Sequence, residues 1–206
     1  MIFAHLGYRN INSIWEDSDI GEGQVEQYKK DINICMQNNI PMVVMHLTTS
    51  SLPPAYSEIG LKRLQKIADY AKEMGVKIAF ENTKIKGYLE YVLNNIANDN
   101  VGICYDSGHC HAHFNDEFNY SNFKDRIFAV HLHDNDGTSD QHLTPFDGTI
   151  DWELVLNKLR ENGYVGPTTL ESVYADRYLK FAPLEFYEKG YQIGERLSLM
   201  LKNNLN

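Results

Sequence analysis

Cysteine is scarce in this chain: Cys35, Cys104 and Cys110 are the only three in 206 residues. An odd number without paired spacing argues against a disulfide framework and against a cysteine-based zinc knot, and reduced thiols fit a cytoplasmic setting. Long hydrophobic runs are missing too. No segment approaches the roughly 20 apolar residues that cross a bilayer, and Met1-Ile2-Phe3-Ala4-His5 lacks a basic start before an apolar stretch. Neither a secretory leader nor a membrane partner is expected. Basic charge is in deficit: 19 Lys and Arg against 28 Asp and Glu leave a net charge of -9. That balance disfavours nucleic acid as a partner and suits divalent cations. There is no low-complexity segment or charged tail. With 43% apolar residues, the chain can bury a substantial core, so a single domain over residues 1–206 is the expectation.

What is present alternates between two periodicities. Ile2-Phe3-Ala4 is a short apolar run ending at His5, and Gly7 to Asp19 reads as a long polar loop carrying Tyr8 and Trp15. Val25, Tyr28, Ile32 and Cys35 recur at helical spacing from about Gly23 to Asn39. Pro41 to Met45 is the next β-like run and ends at His46. A second helix spans roughly Ser57 to Met74, with Gly75 where a C-terminal cap belongs. Lys77 to Phe80 then ends at Glu81. Leu89, Val92, Leu93 and Ile96 mark a helix, Val101 to Tyr105 ends at Asp106, and a weak helix is expected around Asn119 to Asp125. Ile127 to Val130 ends at His131. Asp151 can cap a helix closed by Gly163, Thr168 to Leu170 delivers Glu171, and a final helix runs from about Pro183 to Lys202.

The centre of this pattern is Ala129-Val130-His131-Leu132-His133-Asp134-Asn135-Asp136-Gly137, followed by Asp140 and His142. Residues two apart on a strand share a face, so His131 and His133 point the same way, and the following loop can carry Asp140 and His142 back over them. Each of six apolar strands terminates in a potential metal ligand: His5, His46, Glu81, Asp106, His131 and Glu171. Alternating strands and helices imply a parallel sheet, and in a closed parallel barrel every strand's carboxyl end opens onto one face. A divalent-metal site there follows from the register.

Phe80-Glu81-Asn82-Thr83, Asp106-Ser107-Gly108-His109, His131-Leu132-His133-Asp134-Asn135 and Gly148-Thr149-Ile150-Asp151-Trp152, with Glu171 after them, resemble the xylose isomerase-like TIM-barrel superfamily over nearly the whole chain. That superfamily contains sugar and sugar-phosphate isomerases and epimerases, and also endonuclease IV-type abasic-site nucleases. The resemblance implies an enzyme in which Glu81, Asp106, His131 and Glu171 bind the principal divalent metal, and Glu81 and Glu171 also serve as acid and base. The metal would be zinc, manganese or cobalt. Further ligands of the nuclease branch match His5, His46, His109, Asp140 and His142, which implies more than one ion, although some isomerase-like members keep similar residues. His109 and His133 would contact substrate hydroxyls or add a second metal position. Tyr8 and Trp15 would wall the sugar, with ordinary core packing an equal reading for Trp15.

Matching His5 to the family's third strand leaves the first two βα units without counterpart. The expected architecture is therefore an α/β, TIM-barrel-like fold of about six βα units, in which a homodimer covers the gap or else the chain is shortened relative to its relatives. The favoured activity is isomerisation or epimerisation of a sugar or sugar phosphate by proton transfer next to a carbonyl. Its rivals are an endonuclease IV-like zinc phosphodiesterase acting on abasic DNA and a non-catalytic metal- or sugar-binding protein.

Overall fold

Val43 and Val44 are wholly buried and β-branched. A run such as Met42-Val43-Val44-Met45 hides both faces only inside a parallel sheet covered by helices. The computed structural model, which describes residues 3–117 and 123–202, has that arrangement. The chain divides into two compact units, Met1–Cys104 and Tyr105–Asn206. The first carries β1 (Ala4–His5), α1 (Asp19–Gln37), β2 (Met42–Met45), α2 (Glu58–Glu73), β3 (Lys77–Glu81), α3 (Tyr88–Asn95) and most of β4 (Val101–Asp106). Its strands pair in parallel, β1 with β2, β2 with β3 and β3 with β4. Val25, Tyr28, Ile32 and Cys35 form the buried stripe of α1, and Leu64, Ile67, Ala68 and Ala71 that of α2. At about 1.5–3 kcal/mol for each large apolar side chain, these stripes carry more of each helix's stability than intrinsic propensity does.

Two expectations in this unit need correcting. Helix α1 starts at Asp19 rather than near Gly23, because Ser18 Oγ accepts from Gly21 N and Asp19 and Glu22 occupy the first turn, where the helix dipole favours them. The supposed polar loop also holds a 3-10 turn, Ile11–Trp15, that buries Ile11, Ile14 and Trp15. Arg63 of α2, only 2% exposed, makes that possible. Its guanidinium donates to the carbonyls of Ser13, Ile14, Glu16 and Ser18 and to Glu22 Oε1, so one fork satisfies the backbone of an irregular segment.

The second unit contains α4 (Ser107–Phe114), β5 (Ile127–His131), α5 (Trp152–Glu161) and α6 (Pro183–Lys202). Helix α4 has no counterpart in the sequence reading; it begins where β4 ends, with Asp106 as its N-cap. The weak helix expected at Asn119 to Asp125 falls partly outside the described residues, and positions 123–125 are not α-helical. The expected sixth strand is reduced to one parallel bridge, Leu132 with Leu170, preceded by Pro167, which has no N–H to give a ladder. Gly75 and Gly163 do follow their helices with φ of +69° and +81°, as C-capping glycines should. Among the described residues no helix is long and apolar enough to cross a membrane.

Candidate functional site

In the first unit the parallel register sets the geometry. Met45 lies opposite Phe80, so the next residues, His46 and Glu81, come level at the carboxyl ends of β2 and β3. His5 follows from β1. His5 Nε2 and His46 Nε2 both approach Glu81 Oε2, at 3.2 and 3.3 Å, and the Glu81 side chain is 1% exposed. The two rings are inclined at 75°, so their lone pairs can converge on one point, and the three residues each offer a ligand atom within 4.8 Å of the others. His5 Nδ1 sits 2.9 Å from Leu6 O, which places its proton there and leaves Nε2 as the donor atom. Tyr8, nearly half exposed, stacks on His46 at 4.2 Å and keeps an open aromatic face beside this cluster.

Trp15 is a different matter. It is 3% exposed, its Nε1–H donates to Leu47 O at 2.7 Å, and its ring lies where a Cβ on Gly60 would fall, 2.2 Å from Cε3. The substrate-wall expectation for Trp15 is corrected to core packing, because neither its face nor its N–H is left over.

In the second unit β4 and β5 deliver Asp106 and His131, and the bridge at Leu132 brings up Glu171, whose N–H donates to Leu132 O. His131 Nδ1 is 3.4 Å from Glu171 Oε2 and 4.0 Å from Asp106 Oδ2. Asp106 Oδ1 caps α4 by accepting from His109 N at 2.6 Å. The loop after β5 returns as the sequence suggested. An antiparallel bridge, Asp134 with Leu143, closes it and brings Asp140 between His109 and His142, with Nε2 to oxygen distances of 3.3 and 3.4 Å. Burial alone would raise the Asp140 carboxyl, but hydrogen bonds from His109 and His142 outweigh it and hold the group well below the usual carboxylate range. The same Asp140 bond lifts the His142 imidazole to about 9 against the effect of burial, helped by the Glu171 carbonyl at Nδ1.

His133 departs from expectation. Its side chain is 0% exposed, so it cannot touch substrate hydroxyls in this conformation. His133, Asp140 and His142 have ligand atoms within 4.8 Å of one another, yet the two rings are parallel within 9° and stacked 4.0 Å apart. Metal–nitrogen bonds lie in the imidazole plane, so two stacked planes cannot share an ion at about 2.1 Å.

One residue central to this loop was not singled out from sequence. Asp134 is fully buried and accepts from four donors: Asn135 N and Ile150 N on Oδ1, and Phe146 N and Trp152 Nε1 on Oδ2. Gly148 is small because a Cβ there would lie 2.2 Å from Asp134 Oδ1. The only visible signals were the Gly148 to Trp152 motif and an acid directly after the strand.

The donor set is imidazole and carboxylate without thiolate, and the outer nitrogens of His5 and His142 are tied to backbone carbonyls, as metal-ligating histidines usually are. These residues therefore fit a divalent ion. The family model for xylose isomerase-like TIM barrels matches residues 2–196. The chain belongs to that family. Within the xylose isomerase-like family, it is 30% identical over 192 residues to an uncharacterised protein of Sinorhizobium fredii, covering 86% of this chain and 61% of that one. It is 26% identical to a probable endonuclease 4 of Mycoplasma capricolum (72% and 59% covered) and 25% identical to an inosose isomerase of Halalkalibacterium halodurans (75% and 61%). The chain thus spans about three fifths of the length of these relatives. Among solved structures, a D-tagatose 3-epimerase-like protein superposes with a TM-score of 0.68 at 26% identity, covering 95% of this chain and 78% of that one. The IolI protein, solved with a bound zinc atom, shares the fold with a TM-score of 0.73 at 22% identity over 96% and 74% of the two chains. The fold is TIM-barrel-like, an α/β arrangement in which β1 to β4 pair in parallel.

Proposed function

We propose that the chain is a divalent-metal-dependent isomerase or epimerase of a sugar or sugar phosphate, working by proton transfer at a carbon next to a carbonyl. The observation that carries this reading is the pair of non-parallel imidazoles, His5 and His46, converging on the buried carboxylate of Glu81. Likeness to an inosose isomerase and to a D-tagatose 3-epimerase-like structure supports the substrate class. By family resemblance Glu81, Asp106, His131 and Glu171 hold the principal ion, zinc, manganese or cobalt, and His5, His46, His109, Asp140 and His142 supply a further position. The ion's contribution is Lewis acidity toward a carbonyl and its neighbouring hydroxyl. In this reading Glu171, with its side chain 35% exposed, takes a proton from substrate, and Glu81 is the second acid/base group. Tyr8 offers an exposed ring against which a sugar face can lie. The setting we propose is the cytosol, where the three buried thiols stay reduced.

Chelated protein reloaded with zinc, manganese or cobalt should catalyse solvent-deuterium uptake into members of a ketose and ketose-phosphate panel. Glu171→Gln and Glu81→Gln should each lower that exchange by about 100-fold or more. Full activity in either variant would remove its acid/base role. The nuclease reading has one observation of its own, the Asp140 carboxylate flanked by His109 and His142, together with likeness to a probable endonuclease 4. Nicking of an abasic oligonucleotide without deuterium exchange would select it. We also propose a homodimer. An apolar groove of about 720 Å³ between residues 167–172 and α6, with exposed Tyr187 and Tyr191 on its rim, supports this, and a monomer in sedimentation equilibrium would remove it.

A further inference from the structure

The geometry points to His133 as a positioning residue that orients the Asp106 carboxylate for its cation, being neither a ligand itself nor a substrate contact. This inference rests on the metal-dependent reading above and deepens it.

Three consecutive residues at the β4–α4 junction each answer to His133. Asp106 receives it: His133 Nε2 lies 3.1 Å from both Oδ1 and Oδ2, so its proton sits on the bisector of the carboxylate. Ser107 pins its backbone, accepting from His133 N at 3.1 Å and donating to His133 O at 2.8 Å. Gly108 makes room, because a Cβ there would stand 1.9 Å from His133 Cε1 and 2.3 Å from Nδ1. With the proton on Nε2, the lone pair is on Nδ1, which is buried without a hydrogen-bond partner and pressed over Gly108. Nε2 is thereby committed to Asp106, and Nδ1 lies against Gly108. Asp106, by contrast, is held at both ends: Oδ1 by the His109 amide and both oxygens by His133, with Oδ2 left facing His131 Nδ1. The His133 ring also stacks on His142, so the same side chain limits how far that imidazole can turn. Fixing a ligand through its outer hydrogen bond changes metal affinity by about 10–100-fold in well-studied sites.

The test is cobalt(II) titration of the full chain after chelation, followed by visible absorption, in wild type, His133→Leu and His133→Gln. Leucine keeps the bulk and removes the N–H; the glutamine amide returns an N–H at the position of Nε2. His133→Leu should bind as many cobalt ions at saturation as wild type, with one of them weakened about 10–100-fold and its absorption band altered, whereas His133→Gln should stay within about threefold. One ion fewer in His133→Leu would make His133 a ligand and overturn the inference. So would an unchanged affinity and band. A metal-free arm reads the packing directly: Gly108→Ala should lower Tm, and the loss should vanish in the His133→Ala background. An equal loss in both backgrounds overturns the inference as well. If wild type takes up no cobalt, the metal-dependent reading itself fails and this role fails with it. Cobalt uptake that ignores His133→Leu overturns this inference alone.

Discussion

His142 carries two costs. Its backbone is left-handed, with φ of +48°, and its imidazole is partly buried. Both are offset by what it reaches, Glu171 O through Nδ1 and Asp140 Oδ1 through Nε2. Because Asp140 raises the folded value to about 9 from an ordinary 6.5, the protonated ring's contribution to stability is complete below about 6.5 and is lost as pH rises through about 9. Cation binding runs the other way: Nε2 must shed its proton to ligate, so uptake at Asp140 and His142 should grow from neutral pH toward 9. NMR of the metal-free chain, following His142 Cε1–H, should place the titration well above the usual imidazole range; a midpoint near 6.5 would remove the Asp140 bond from the account. Trp15 makes a second prediction at this scale. Trp15→Phe leaves Leu47 O without its buried donor and should cost about 1–3 kcal/mol in urea unfolding, with KM for any substrate unchanged. Preserved stability with a raised KM would return Trp15 to the substrate wall.

The loop from Asp134 to Asp151 behaves as an element in its own right, although it has almost no regular secondary structure. One carboxylate accepts four N–H groups drawn from Asn135, Phe146, Ile150 and Trp152, which ties both ends of the loop to the start of α5. Removing it in Asp134→Ala strands several buried donors at once, and a loss of about 3 kcal/mol or more is expected in urea unfolding, together with loss of the Asp140/His142 cation position. A loss below about 1 kcal/mol would show that the loop is held by something else. Elements of this kind are hard to read in advance. The stripe of α1, most of that of α2 and the glycines after α2 and α5 were legible because period 3.6 and the left-handed cap are local rules. Asp134 was not, since three of its four partners lie 12 to 18 residues away and only the fold makes them neighbours. Helix α4 was missed for a related reason: Ser107 to Phe114 has no amphipathic stripe, and what starts it is the Asp106 cap.

For the whole molecule, the positions of the candidate ligands were legible, because each stands where an apolar run turns polar, the place where a parallel α/β fold carries its functional residues. Their division of labour was not. His133 comes two residues after His131, yet Gly108 gives its ring room to reach both Asp106 carboxylate oxygens, a contact no spacing rule contains. The proposed function requires that Glu81, from the first 104 residues, serve the same ion as Asp106, His131 and Glu171. Cobalt stoichiometry can decide it by a double-mutant cycle. If one ion is shared, Glu81→Gln and Asp106→Asn should each weaken the same spectral component, by an estimated ~100-fold, and the double variant should lose little more, because the second change acts on an ion already released. If the two carboxylates serve separate ions, each single variant should bleach a different component and the double variant should lose both. That second result would leave His5, His46 and Glu81 as a self-contained site in the first unit, and would take from Glu81 the acid/base role that its partnership with Glu171 requires.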